Sequence, residues 1–232
     1  QFKHEYRQQI SLRLATQRAE GGDYMMRPDT NNPAFWDGYG ESSQSVLIPA
    51  LLAAYGKKDP NRVNLNPIQD IKDMLPNWRL TFDGLSKIPF IQRYFRSINI
   101  LHSYRSSYTV GSFISNPFYM ATEAGYVDTA SRDMNGNFLN EADIGSVSIS
   151  EQFSPLIALD MNWVNSLTTR FEIKKSRSLA LSLANSQLTE ISSNEFVIGA
   201  GYRFSGLPLI FNLPGGGQTA MESDLNVRGD FS

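Results

Sequence analysis

Apolar and polar residues alternate almost without interruption over residues 153–204. Within each segment the apolar residues share one parity: Ile157, Leu159, Met161 and Trp163, then Leu167, Phe171 and Ile173, and later Phe196, Ile198, Tyr202 and Phe204. A period of two places such residues on one face of a β-sheet and their polar neighbours on the other. The pattern fits an antiparallel sheet with one wet face, and it fits a transmembrane β-barrel with a polar lumen.

Two predicted hairpins give this meander a fixed register. A turn centred on Asn165 pairs apolar residues with apolar residues and sets Asp160 opposite Arg170, which is a favourable cross-strand pair. A second turn, centred on Ser176, again pairs apolar residues with one another. Since a slip of one residue would set apolar side chains against polar ones, the pattern specifies this register.

The rest of the chain predicts short strands, two short helices and long loops. The strands lie at residues 10–14, 78–82 and 98–110, the helices at 42–55 and 67–75, and the loops at 21–41, 114–145 and 205–223. Asn135-Gly136, within the second long loop, is the strongest short hairpin signal. With the meander included, we expect about eight or nine strands.

We therefore predict an all-β fold in which an antiparallel meander forms part of a very large transmembrane β-barrel, with long loops and one or two short helices. Three regions follow along the chain. Residues 1–20 form a strand segment, residues 21–76 form a loop region with short helices that acts as a cap or loop insertion, and residues 77–232 form the transmembrane β-meander, incomplete at its C-terminal end.

Composition excludes several classes of function. The 232 residues carry a net charge of −2, from 21 basic and 23 acidic residues that are scattered along the chain. No basic footprint for nucleic acid is present. The absence of cysteine excludes disulfides, thiol catalysis and thiolate metal sites. The longest apolar run, residues 46–54, contains Pro49 and falls short of the roughly 20 residues of a membrane-spanning helix.

Both ends of the chain have the character of a fragment. The first residues contain neither an initiator methionine nor a signal peptide, and the alternation in the last nine residues stops in mid-course. We expect the chain to be part of a longer protein.

Candidate catalytic and metal-binding residues are few. His102 shares a face with apolar neighbours, which favours a packed or interfacial histidine over a base, and no serine is singled out as a nucleophile. Residues 133–137 are rich in oxygen ligands but lack the spacing of a calcium loop, so a plain turn at Asn135-Gly136 is favoured. Residues 214–217 lack the lysine of a phosphate-binding loop. We predict no enzyme activity and no catalytic, cofactor-binding or metal site.

Four charged residues of the meander admit two interpretations. Asp160, Arg170, Glu172 and Lys174 fall on the polar face of the predicted sheet. They line an aqueous lumen if the sheet belongs to a barrel, and they form a solvated surface if it does not. The alternation itself does not decide between the two.

Several stretches resemble one known family. They are LPNWRLTFDGLSKIPF at 75–90, SYRSSYTVG at 103–111, SEQFSPLI at 150–157, NSLTTRFE at 165–172, NSQLTE at 185–190, GAGYR at 199–203 and DLNVRGDFS at 224–232. Singly these motifs are short and strand-like, but in this order and spacing they are specific. They resemble a segment near the C-terminal end of the SprA/Sov family, the large gliding-motility and type IX secretion proteins of Bacteroidota. Residues 21–60 match this family least clearly.

The resemblance implies a function in protein transport. It implies a wall segment of the outer-membrane translocon of the type IX secretion system, a pore that conducts folded cargo proteins to the surface of the bacterial cell. The implied partners are the remainder of the same large barrel, an outer-membrane shuttle-type barrel, a periplasmic plug protein, the secreted cargo and the lipid bilayer. Neither nucleic acid nor a cofactor is implied, and the family brings no catalytic residues.

Two other classes of function remain open at this point. One is a complete small outer-membrane β-barrel that acts as an adhesin, receptor or hydrolase. The other is a soluble β-sheet binding module whose apolar face is covered by the helices predicted within residues 42–75. Solubility without detergent separates the last class from the other two, and the length of the parent open reading frame separates the first two.

Overall fold

The structure is a computed structural model that describes residues 4–22, 24–67, 76–123, 125–212 and 218–232, with the side chains of 209–212 and 218–221 left undescribed. Its helices are α1 (His4–Glu20), α2 (Gln44–Gly56) and the single turn α3 (Pro89–Gln92), which follows a 3₁₀ turn at Gly84–Lys87. Its strands are β1 (Trp78–Phe82), β2 (Phe95–Ser115), β3 (Ala142–Trp163), β4 (Leu167–Ser182), β5 (Gln187–Asn212) and β6 (Gln218–Phe231).

The six strands form one sheet in the order β1-β2-β3-β4-β5-β6, so that each strand pairs with its neighbours in sequence. The β1–β2 and β5–β6 pairs are antiparallel. The predicted all-β antiparallel meander is therefore confirmed. The described residues form six strands, fewer than the eight or nine predicted for the chain, because β2, β3 and β5 run for 21, 22 and 26 residues, several times the usual length.

The strand predicted at residues 10–14 is wrong, since this segment lies inside the 17-residue helix α1. Five alternating residues gave the strand signal, but the flanking Gln, Arg, Leu, Ala and Glu residues are good helix formers. Gly22, with φ of 85°, follows the end of the helix. Its backbone N–H donates to the carbonyl of Ala19, which ends the helix with a residue in the left-handed region.

The helix predicted at 42–55 is confirmed by α2 (Gln44–Gly56). Its apolar residues lie on nearly every side, and seven of its thirteen residues are buried. Lys57, with φ of 50°, forms its C-cap. The second predicted helix, at 67–75, falls almost wholly outside the described residues. Among the helices that the structure describes, none combines the length and apolar character required to cross a membrane.

The turns of the meander agree only in part with the predictions. A turn at 164–166 separates β3 from β4, as expected, and Ser166 has φ of 66° there. The turn predicted at Ser176 is wrong, because β4 continues to Ser182 and the next turn lies at 183–186. The loop predicted at 205–223 is largely strand, since β5 reaches Asn212 and β6 begins at Gln218. Residues 214–217, the predicted glycine-rich connector, lie outside the described residues.

The chain divides into two compact units that interleave along the sequence. Unit 1 comprises Gln1–Leu75, Tyr108–Ile149 and Ser178–Glu190, and unit 2 comprises Pro76–Ser107, Ser150–Arg177 and Ile191–Ser232. Both clusters of buried apolar residues belong to unit 1. Residues of α1, α2 and the loops form the first cluster. In the second cluster, Leu47, Ile48 and Leu51 of α2 pack against strand residues that include Val147 and Leu181. Unit 2 holds the greater part of the alternating meander.

Candidate functional site

The sheet of unit 2 has one apolar face and one charged face. Cross-strand pairing places Ile198 against Phe231 and Tyr202 against Val227, and it places the intervening Gly199 against Asp230. The apolar face comprises Ile157, Phe171, Phe196, Ile198, Tyr202, Phe204, Leu225, Val227 and Phe231. The charged face comprises Asp160, Arg170, Glu172, Lys174, Glu195, Arg228 and Asp230. The predicted separation of apolar and charged residues is thus present in the folded sheet.

The apolar face is exposed. Phe196 and Ile198 expose 59% and 54% of their surface, and Phe231 exposes 81%. Few apolar side chains of unit 2 are buried among those described: Ile98, Tyr104, Pro155 and Ala158. A contiguous exposed apolar surface of this kind marks a site of contact with a membrane or with another protein.

The charged face holds a buried carboxylate with an arginine partner. Glu172 is 6% exposed, and its Oε2 accepts hydrogen bonds from Arg170 Nη2 at 2.8 Å and Nε at 3.1 Å. Arg170 Nε also lies 3.7 Å from Asp160 Oδ1 on the neighbouring strand. The predicted pair of Asp160 and Arg170 is therefore confirmed, but the closer partner of the arginine is Glu172.

The ion pairs continue across β5 and β6. Lys174 Nζ lies 3.0 Å from Glu195 Oε1, and Arg228 Nε lies 3.1 Å from Asp230 Oδ2. Each pair is partly exposed, so each contributes little to stability by itself. Together with the Arg170 group, these pairs place carboxylates and cations next to one another on the charged face. Neither positive nor negative charge dominates there.

Two glycines of β5 make room for these side chains. A Cβ atom at Gly199 would lie 2.2 Å from Asp230 Oδ1, and one at Gly201 would lie 2.7 Å from Thr168 Oγ1. Thr168 Oγ1 donates a hydrogen bond to the carbonyl of Gly201. Gly199 and Gly201 help to line an open depression of about 330 Å³, together with Asp160, Thr168, Arg170 and Arg228. Sequence parity places both glycines on this face, but the close approach is visible only after the strands are paired.

His102 belongs to an aromatic group. The group also contains Trp78, Tyr104 and Phe153, and the rings of Trp78 and Tyr104 stack with centroids 4.5 Å apart. Phe153 lies 4.8 Å from Tyr104 and 6.0 Å from His102. The Nδ1 atom of His102 lies within hydrogen-bond distance of the carbonyl of Leu156. This placement agrees with the predicted packed or interfacial histidine.

The oxygen-rich segment at 133–137 forms the predicted turn. The Gly136 N–H donates to the carbonyl of Asp133 at 3.1 Å, and Gly136 has φ of 82°. The carboxylate of Asp133 accepts hydrogen bonds from the backbone of Asn135 and Asn137. Across the described part of the chain, no group of three or more His, Cys, Asp or Glu residues is placed to hold a metal ion.

An ion-pair cluster in unit 1 was not predicted from the sequence. Arg132 donates to both carboxylate oxygens of Asp37, from Nη1 at 2.8 Å and from Nη2 at 2.9 Å, and Arg27 Nε donates to Oδ2 at 2.9 Å. Burial raises the pKa of Asp37, but the hydrogen bonds and charges of the two arginines outweigh it and hold that pKa below 3.8. Tyr24, whose hydroxyl donates to the carbonyl of Asp37, has its pKa raised to about 12 by burial and by the Asp37 charge.

Arg18 is fully buried beside this cluster. Its guanidinium carbon lies 3.9 Å from the ring centroid of Phe138, and Nη2 donates to the carbonyl of Val127. Its Nε and Nη1 atoms have no hydrogen-bond partner among the described groups. The residue joins the end of α1 to loops about a hundred positions away, which no local sequence signal indicates.

No protein-family model and no curated protein matches this chain.

Proposed function

We propose that this chain is a wall segment of a large outer-membrane β-barrel, the translocon of the type IX secretion system, which conducts folded proteins to the cell surface. The observation that carries the proposal is the two-faced sheet of unit 2, whose apolar face is exposed and whose charged face holds paired side chains. In a barrel of this kind the apolar face contacts lipid and the charged face lines the lumen. The ordered resemblance of seven motifs supplies the transport role.

The height of the apolar face supports the membrane assignment. Phe153 and Trp163 share one parity in β3 and are ten residues apart, which corresponds to about 33 Å along a strand. A strand tilted by about 35–45° would then cover about 23–27 Å along the membrane normal, close to the ~25 Å apolar band of outer-membrane barrels. Aromatic residues at both levels correspond to the girdles that flank such a band.

The open sheet supports a share in a larger barrel. Among the described strands, β6 has β5 as its sole neighbour, and its outer edge presents backbone N–H and C=O groups. Such an edge in lipid requires a partner strand. Further strands of the same barrel would supply that partner. The barrel must have far more than eight strands, because the interior of an eight-stranded barrel is filled by its own side chains and leaves no lumen for a folded protein.

One observation favours a soluble β-sheet module as a second candidate. In unit 1 the helix α2 packs Leu47, Ile48 and Leu51 on strand residues, as such a module would require. The exposed apolar face of unit 2 counts against this candidate, since water would contact it directly.

Lipid contact of the apolar face provides the test. Because the chain has no cysteine, single variants Ile198→Cys and Asn162→Cys can each carry one fluorophore in bilayer nanodiscs. We expect the label at 198 to be quenched by spin labels deep in the acyl chains, and the label at 162, on the exposed charged side, to be quenched by an aqueous nickel chelate. Equal quenching of both labels by the aqueous reagent would overturn the membrane assignment.

The transport role has a separate test. In cells that carry the parent gene, depletion of the parent protein should trap folded cargo in the periplasm, and cross-linking from position 162 should capture cargo. Normal secretion after depletion would contradict the transport role and would favour the alternative of a small barrel with another role. A stable closed channel formed by the 232 residues alone would overturn the assignment as an arc of a larger wall.

A further inference from the structure

The connection between β1 and β2 presents apolar side chains to the outside instead of burying them. This connection, residues 83–94, contains the 3₁₀ turn and α3. Phe90 is 71% exposed, and Ile88 and Tyr94 are also exposed. The rings of Phe90 and Tyr94 make an edge contact at 5.7 Å, so the apolar side chains form a small cluster on the surface. We refer to residues 83–94 as the apolar loop.

Contacts with the strand ends hold the apolar loop in place. The N–H of Val164, in the β3–β4 turn, donates to the carbonyl of Tyr94 at 3.1 Å, and Arg96 Nη2 donates to the carbonyl of Val164 at 3.1 Å. Phe95 and Trp163 lie next to this junction with ring centroids 4.1 Å apart. The loop is therefore fixed at the level where β3 ends and β4 begins.

Aromatic residues continue at this level on the next pair of strands. The N–H of Arg203 donates to the carbonyl of Ser166 in the same turn, which places β5 residues 202–204 there. Tyr202 and Phe204, both exposed, make a ring contact at 4.7 Å. The described strands β5 and β6 extend past this level, to Asn212 and from Gln218. The row of aromatic rings thus lies along the sheet at one height and not at the tip of the longest hairpin.

Basic side chains accompany the aromatic ones. Lys87, Arg93 and Arg96 are exposed, and Asp83 is the one acidic residue between positions 83 and 96. Exposed aromatic rings beside cations match the boundary of a bilayer, where rings lie among the headgroups and cations meet lipid phosphates. A groove on a partner protein would instead favour shielded apolar residues with few charges at the centre.

We infer that the apolar loop is a lipid-headgroup anchor, which inserts Phe90 and Ile88 into the membrane boundary while Lys87, Arg93 and Arg96 bind lipid phosphates. This inference rests on the proposed membrane-spanning function. It adds a specific contact surface that fixes the height of the sheet in the bilayer, because hydrogen bonds of Tyr94 and Arg96 tie the end of the loop to Val164 in the β3–β4 turn.

Depth-dependent quenching tests the anchor. A fluorophore at Phe90→Cys is measured in nanodiscs of phosphatidylcholine with phosphatidylglycerol, beside the labels at Ile198→Cys and Asn162→Cys. We expect spin labels at the headgroup to quench position 90 most, and spin labels deep in the acyl chains to quench position 198 most. Circular dichroism confirms that the variants share one fold.

The outcomes separate the anchor from the membrane assignment. If position 198 is quenched deep in the bilayer while position 90 responds only to the aqueous reagent, the anchor is wrong and the membrane assignment stands. If position 198 also responds only to the aqueous reagent, both are wrong. If position 90 is shielded from every quencher, a protein contact occupies the loop and the anchor is wrong.

The charges have their own measurement. Enrichment of spin-labelled phosphatidylglycerol around the label at position 90 should fall about fivefold for each of the changes Lys87→Gln and Arg93→Gln. The matched change Arg79→Gln, on the exposed strand β1, removes a cation away from the loop and should leave the enrichment unaltered. Equal enrichment in all variants would overturn the role of the basic residues.

Discussion

Arg170 binds Glu172 two residues further along the same strand, with Nη2 2.8 Å from Oε2, and holds this carboxylate in a nearly water-free position. Residues i and i+2 lie on the same face of a strand, so the pair is intrinsic to β4. The cross-strand partner Asp160 is more distant, at 3.7 Å, and its side chain is 41% exposed. The two carboxylates should therefore differ in their contributions to stability.

We expect Glu172→Gln to lower the free energy of unfolding by about 1–3 kcal/mol, since it removes the charged acceptor and leaves Arg170 without its buried partner. Asp160→Asn should lower it by less than about 1 kcal/mol, as is usual for exposed pairs. Denaturant unfolding of the detergent-solubilised chain provides the measurement. A larger loss for Asp160→Asn would contradict the assignment of Glu172 as the main partner.

The change in stability when a glycine of the paired strands is replaced by alanine should depend on which atoms lie near the new Cβ. At Gly201 a Cβ would meet Thr168 Oγ1 at 2.7 Å and the carbonyl oxygen of Val227 at 3.2 Å. The Val227 oxygen belongs to the backbone, so it cannot move aside by a rotation of a side chain. We expect Gly201→Ala to destabilise the chain by about 1–3 kcal/mol. Gly229→Ala is the matched control, because nothing lies within 4 Å of its Cβ position, and it should be neutral or slightly stabilising. Thermal unfolding of the two variants distinguishes these outcomes.

A cation on the apolar face should lower the stability of the folded chain only if that face contacts lipid. Ile198 adjoins Gly199, which lies beside Arg170, and so it falls between the two aromatic levels. Ile198→Lys should destabilise the bilayer-inserted chain by about 2–4 kcal/mol, whereas Asn162→Lys, on the exposed charged side, should have little effect. Reversible unfolding from lipid vesicles measures both. Similar small effects at both positions would indicate that water, not lipid, contacts the apolar face.

The stability of unit 1 should fall in acid because of Asp37. The folded-state pKa of Asp37 lies below 3.8, so its contribution is fully present above the unfolded pKa and is lost as the pH falls through the folded value. The difference in stability between the unaltered chain and Asp37→Asn should be largest near pH 7 and should shrink below about pH 4. Hydrogen exchange of the backbone amides of unit 1 measures this difference in stability. Glu123→Gln, at an exposed carboxylate, is the matched control substitution.

Helix α2 should depend on its contact with the strands of unit 1. Leu51 is 2% exposed and belongs to the cluster that contains Val147 and Leu181. Leu51→Ala should lower the free energy of unfolding by about 2–5 kcal/mol through lost burial and the cavity left behind. Leu12→Ala in α1, at a position 45% exposed, is the control and should have a much smaller effect. Comparable losses would show that α2 is not anchored through Leu51.

The alternation of residues by itself determined the antiparallel meander, its two faces, the turn at 164–166 and the pair of Asp160 and Arg170. These features follow from the period of two, which acts at every residue and needs no distant partner. The same local reasoning failed for α1, where a five-residue alternation was outweighed by the helix-forming residues around it. It failed again at Ser176, because a polar run can continue a strand when neighbouring strands supply its hydrogen bonds.

Only the tertiary structure decided which residues are close together across the sheet and across the loops. Glu172 is 6% exposed, and the guanidinium of Arg170 lies against its carboxylate. Gly199 and Gly201 matter because Asp230 and Thr168 lie against them. Arg18, Asp37 and Arg132 join segments about a hundred residues apart. Sequence periodicity carries no information on such long-range contacts, since they depend on where the loops return to the helices.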